Sequence, residues 1–206
     1  MACNKDTGSR KTLQTWSRGV MFVVSGGGHV EYWQPLYRSE SPSQAFLILL
    51  LWMHRRYSIM LENGLSKEEV EVSMDNCILA YDNMCHLDNL LVARKDLPFQ
   101  SPFDKMWART TKVIDRLHIK NHKDPKCKTI YNPEGKVPEG FNTMAAEQTF
   151  VWASRFKKIV CAMPRNHQFF YLHRMIKRRN AYTSRCHLQG KDPVLPSVSK
   201  TWKPQQ

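Results

Sequence analysis

Four groups of residues in this 206-residue chain have the types and spacing to do chemistry. The first is Asp82, which closes a short continuous apolar segment, residues 77–81 (CILAY), and opens the run DNMCHL. A carboxylate at the carboxyl end of a buried strand, with a helix starting at once, is where α/β folds place catalytic and ligand-binding groups. The same position also suits an Asp that only caps the helix. The second group is Asp115, His118, His122 and Cys127, spaced D-x-x-H-x3-H-x4-C. Two imidazoles and a thiolate could supply three donors of a tetrahedral zinc, with Cys85 or His86 as the fourth. The spacing is that of no standard zinc finger, and a histidine-bearing surface loop has the same appearance.

The third group centres on Glu147 in the run NTMAAEQ. On a helix it stands among Met144, Ala146, Phe150 and Val151, and a carboxylate in such company needs a metal or a cation beside it. An intrahelical pair with a base is the plainer alternative. The fourth group is a basic block: Arg155, Lys157, Lys158, Arg165, Arg174, Lys177, Arg178, Arg179 and Arg185, interleaved with Trp152, Phe156, Phe169, Phe170, Tyr171 and Tyr182. The formal charge of the chain is +13, yet residues 1–147 are nearly balanced, while residues 148–191 hold ten Lys/Arg and no acid. A surplus that local is a footprint for a polyanion rather than a device for solubility. Arg155, Lys157, Lys158, Arg174, Lys177, Arg178 and Arg179 are the expected phosphate contacts, and nucleic acid, DNA foremost, is the expected partner.

These groups need elements to hold them. With 42% hydrophobic and 24% charged residues the chain is long enough for one cored domain and is not disordered throughout. The longest apolar run, residues 45–53 (AFLILLLWM), is about half a bilayer span, so it predicts a buried helix, over 42–57, rather than a membrane segment. Residues 19–25 and 29–37 read as two strands of a hairpin turned by Gly26, Gly27 and Gly28, and 77–81 as a buried strand. Helical spacing resumes over 83–93 and around 103–111; 113–119 (VIDRLHI) reads as a further strand and 120–141 as loop. Helices are expected over 142–162 and 166–182. Residues 1–18 form a polar lead-in, 19–185 the domain, and 186–206 a disordered tail. The amino terminus has no apolar segment of leader length, which favours an intracellular or nuclear protein whose six cysteines are reduced thiols or metal ligands.

Taken together and in order, YDNMCHL, IDRLHIKNHKDPKCKTIYNP and NTMAAEQTFVW resemble the catalytic region of Kyakuja-Dileera-Zisupton (KDZ) transposases and host proteins derived from them, over roughly residues 19–185. The resemblance implies a partial RNase H-like α/β domain, with an Asp, Asp, Glu triad that binds two divalent ions, Mg or Mn, and cuts or joins DNA. By match, Asp82 is the second Asp and Glu147 the closing Glu; Asp115 and His118 fall on a C/D-x-x-H signature, and Cys127 on a cysteine that follows it. Two hard cations need carboxylate oxygens to hold the attacking and leaving oxygens of an in-line displacement. The first Asp of that family lies upstream of the segment matched by residues 19–37, where this chain has only the polar lead-in, and Asp6 and Glu31 are no substitutes. The expectation is therefore a domain that binds nucleic acid but lacks a complete catalytic site. An active metal-dependent nuclease using another acid, or a zinc-stabilised interaction module in which Cys85, His118, His122 and Cys127 converge, are the rival expectations.

Overall fold

The apolar run that dominates the sequence becomes α1 (Pro42–Glu62), five residues longer than its spacing predicts. Ser41 caps it by accepting the Gln44 N–H, and Pro42 starts its first turn, where a missing N–H costs nothing. The computed structural model describes residues 19–37 and 40–193; the lead-in 1–18 and residues 194–206 of the expected tail lie outside the described residues. The fold is mixed α/β, and no helix among the described residues is long and apolar enough to cross a membrane.

Packing divides the described chain into two units. The first holds residues 19–23 and 32–144. Around α1 it arranges α2 (Lys67–Asp75), β3 (Ile78–Ala80), α3 (Met84–Asp88), α4 (Met106–Arg109), β4 (Thr111–Val113) and α5 (Pro125–Ile130). Met53, Tyr57, Val70, Met74, Met84, Leu87, Met106 and Ile114 are fully enclosed, and Phe46 meets Trp107 edge to face at 4.7 Å. Each such side chain contributes about 1.5–3 kcal/mol on leaving water, so this cluster is what holds the first unit together. β3 and β4 run parallel, pairing Ile78 with Thr111, Leu79 with Lys112 and Ala80 with Val113. Parallel strands require a crossover, here the segment containing α3 and α4.

Two expectations need correction. The strand expected over 113–119 ends where it was to begin: Thr111–Val113 pairs with β3, after which Asp115 turns the chain. The stretch read as loop, 120–141, contains α5, whose signal was present in Asp124, which accepts the Lys126 N–H, followed by Pro125. Ahead of β3, α2 opens with a capping box in which Ser66 and Glu69 satisfy each other's backbone N–H.

The second unit holds residues 24–31 and 145–193. The first segment is the tip of the hairpin formed by β1 (Gly19–Val24) and β2 (Val30–Leu36), turned through Gly28 at φ +83°. The second comprises α6 (Ala145–Ser154), α7 (Lys157–Ala162) and α8 (Arg165–Leu188). The single helix expected over 142–162 is thus two, broken at Arg155 and Phe156, and α8 runs three residues into the segment read as tail. Asn180 of α8 holds the hairpin tip by bonding both the N–H and the C=O of Val30 at 2.9 Å. His187 Nε2 reaches the Gly27 carbonyl at 2.9 Å, and His29 Nε2 lies 3.0 Å from Ser184 Oγ.

Burial, His187 and, more weakly, Arg179 push the His29 imidazole below its ordinary value of 6.5, against a raising contribution from Glu31. The folded state therefore disfavours the protonated ring, and the unfolded chain takes up the proton first. The contribution of His29 to stability is complete above pH 6.5 and declines as the pH falls below it. Hydrogen exchange at the His29 and Val30 amides should accordingly speed up between pH 7.5 and pH 5.5 once the intrinsic rate is corrected; equal protection at both would contradict the assignment.

Candidate functional site

Asp82 stands two residues beyond the end of β3, which spans three of the five residues expected over 77–81. It is not the cap of α3, since Asn83 occupies that position without a side-chain cap. Instead its carboxylate accepts the Asn83 N–H at 2.7 Å and faces the Asn83 amide at 3.3 Å. Asp115 stands two residues beyond β4, at the same end of the parallel pair, and is buried. Its oxygens accept the N–H groups of Leu117 (2.9 Å) and His118 (3.1 Å) and meet His118 Nδ1 at 2.7 Å. The D-x-x-H spacing is therefore a local device: a buried carboxylate closes the turn after β4 and fixes the imidazole at i+3.

Three of the four proposed zinc ligands come together. Cys85 on α3, His122 in the turn before α5, and Cys127 on α5 are buried, and their donor atoms lie within 4.8 Å of one another. His118 is not in this group, because Asp115 directs its Nδ1, and neither is His86. His122 Nε2 lies 2.8 Å from the Asp82 carbonyl. A carbonyl can only accept, so Nε2 carries the proton and Nδ1 presents its lone pair, 3.7 Å from Cys85 Sγ. Tetrahedral coordination with ordinary zinc–sulfur and zinc–nitrogen bonds separates S from N by about 3.6 Å, so Cys85 and His122 stand at ligand spacing, with the Cys127 donor within 4.8 Å of both. Two thiolates and an imidazole form a soft site that suits zinc far better than magnesium or manganese. The hydrogen bond from His122 to the Asp82 carbonyl supplies the outer partner that metal-bound histidines require, and it ties the site to the strand end bearing Asp82.

Sequence reasoning missed the hub next to this centre. Asp88, on the last turn of α3, accepts Trp107 Nε1–H at 3.0 Å and Tyr131 O–H at 2.9 Å, with Lys112 Nζ at 4.0 Å. Lys112 also donates to the carbonyls of Trp107 and Thr110. Burial lowers the Lys112 ammonium below its ordinary value, and Asp88 partly offsets that. Burial, then the hydrogen bond to Asp88, raises the Tyr131 phenol. The C-cap of α5 at Tyr131 returns to β4 through its carbonyl, which takes the Ile114 N–H at 2.8 Å.

Glu147 lies in the first turn of α6 and is exposed, not part-buried as its apolar neighbours suggest. Of the basic residues, Arg155, Lys157, Lys158, Arg174, Lys177 and Arg178 are exposed as expected. Arg179 is the exception, and its assignment as a phosphate contact needs correction. It is 5% exposed, with its guanidinium 5.5 Å from the ring centroids of both Trp152 and Tyr182. Its Nε and Nη1 have no hydrogen-bond partner among the described residues, where the flanking π faces are its main compensation. A signal was available: Arg179 falls on the helical stripe of Leu172, Met175 and Ile176, all buried.

Compared with models of protein families, with curated proteins and with solved structures, the chain matches none.

Proposed function

We propose that this chain is a nucleic-acid-binding domain of KDZ-transposase descent, a partial RNase H-like fold stapled by a structural zinc, which does not cut DNA. The observation that carries the binding function is the surface of α6 to α8: six of the seven expected phosphate contacts are exposed, and no acid between residues 148 and 191 neutralises them. Such a surface gains affinity by releasing counterions from a phosphate backbone.

Zinc is favoured at Cys85, His122 and Cys127 by donor type; three protein donors leave one tetrahedral position to a further ligand, and it is the burial of all three, away from open water, that favours a structural ion. Bound there, zinc would link α3, the turn at His122 and α5 beneath the end of β3. The descent is supported by the place of Asp82 past a parallel strand and by the convergence of three residues from two of the matched segments. Lack of cutting is supported by how the strand-end carboxylates are engaged: that of Asp82 accepts the Asn83 N–H and faces the Asn83 amide. The Asp115 carboxylate is committed to its own turn and to His118.

Incubated with supercoiled plasmid and Mg2+ or Mn2+, the purified chain should retard the DNA and leave it unnicked. Nicking that Asp82→Ala and Glu147→Ala both abolish would overturn the inactive part of this reading.

A further inference from the structure

We infer that the exposed face of α8 is a stacking platform for single-stranded DNA. This rests on the proposed nucleic-acid function, including its choice of DNA, and deepens it by naming the form of the substrate.

The buried face of α8 carries Leu172, Met175, Ile176 and Thr183, and the exposed face carries His167, Phe170, His173, Arg174, Lys177, Arg178 and Arg185. One member of that exposed set does not belong on an ordinary solvated face. Phe170 is 69% exposed, whereas its neighbours Phe169 and Tyr171, and Tyr182 further along the helix, are half-buried and engage Arg165, Phe156 and Arg179. The core leaves Phe170 out, and helical spacing sets it one turn from His167 on one side and from His173 and Arg174 on the other. From Phe170 to Arg185 the face extends about 22 Å, with four cations along it and no anion.

A bare aromatic ring set in a positive stripe combines the two terms that bind unpaired strands, a π face for a base and charges for the backbone that follows it. In a duplex the bases are already stacked on one another and offer no free face, so the ring would contribute nothing. Charge complementarity selects a polyanion, and the aromatic ring selects a polyanion with exposed planar groups, which separates an unpaired DNA strand from an acidic polypeptide.

The test is fluorescence anisotropy with the full chain, using a labelled oligothymidine of about 20 nucleotides, enough to cover one binding site. The same strand annealed to its complement, the equivalent oligouridine and polyglutamate serve as competitors. The single strand should bind most tightly. Phe170→Ala should weaken it about 10-fold with an unchanged salt slope, because the ring takes no phosphate, and Phe170→Trp should restore it. Arg174→Ala should instead lower the slope by about 0.7. Since Phe170 is exposed, its removal should leave the melting temperature unchanged. Wild-type affinity in Phe170→Ala, or equal or tighter binding of the duplex, the RNA or polyglutamate, would overturn this inference while leaving a nucleic-acid-binding domain in place. Absence of binding to any nucleic acid would overturn the proposed function itself.

Discussion

Cys127→Ser should abolish binding of one zinc ion per chain and lower the melting temperature of the first unit by about 10 °C or more. The size follows from what the ion would hold together. A metal held by Cys85, His122 and Cys127 would join α3 to the chain segment that returns through Tyr131 towards β4, so losing it would loosen that segment from the strand pair. A structural zinc supplies folding free energy directly, and even a loss of about 3–5 kcal/mol moves the midpoint by that much in a chain of this size. EDTA should shift the wild type to the same midpoint and leave Cys127→Ser where it is. Cys161→Ser is the control, because Cys161 is half-buried and outside the group, and it should retain the metal. A wild-type midpoint indifferent to EDTA, with no zinc in the purified protein, would remove the centre from the account.

The second large effect is expected at Asp88. Asp88→Ala deletes the acceptor of Trp107 Nε1–H and Tyr131 O–H and the counter-charge of Lys112 in one step. The donors cannot simply turn to water, since Trp107 is 1% and Tyr131 7% exposed. Stranding buried donors costs about 1–3 kcal/mol each and more beside a charge, so a loss of about 3 kcal/mol by urea unfolding is expected. Asp88→Asn keeps an acceptor oxygen and should recover part of it. A loss below about 0.5 kcal/mol, the range of ordinary surface substitutions, would show that the hub is replaceable.

The legible parts of this molecule were those governed by local rules. The capped start of α1, the hairpin turned at Gly28 and the strand that ends before Asp82 follow from apolar runs and turn residues. The failures have physical causes. Branched residues in VIDRLHI look like a strand, but pairing with β3 decides where a strand lies, and the partner of Leu79 is Lys112, not a residue further on. His118 has the spacing of a ligand because the i+3 distance that suits metal chelation also suits a hydrogen bond to Asp115. Cys85 and His122, 37 residues apart, are joined only by tertiary structure, so spacing could nominate them but not pair them. Asp88 gave no sign at all, since its partners Trp107, Lys112 and Tyr131 come from three other places in the chain. Helical phase separates Arg179 from its basic neighbours by placing it on the stripe of Leu172, Met175 and Ile176, whereas charge alone does not.

The central proposal is that the cations of α6 to α8 grip a phosphate backbone. The most direct measurement is the affinity of the full chain for DNA as a function of salt, compared with the triple substitution Arg174→Ala, Lys177→Ala and Arg178→Ala. Log affinity should fall linearly with log salt concentration, with a slope that drops by about 2–3 in the triple variant while its melting temperature is preserved. Binding that ignores salt, or a slope that the triple variant leaves unchanged, would contradict it.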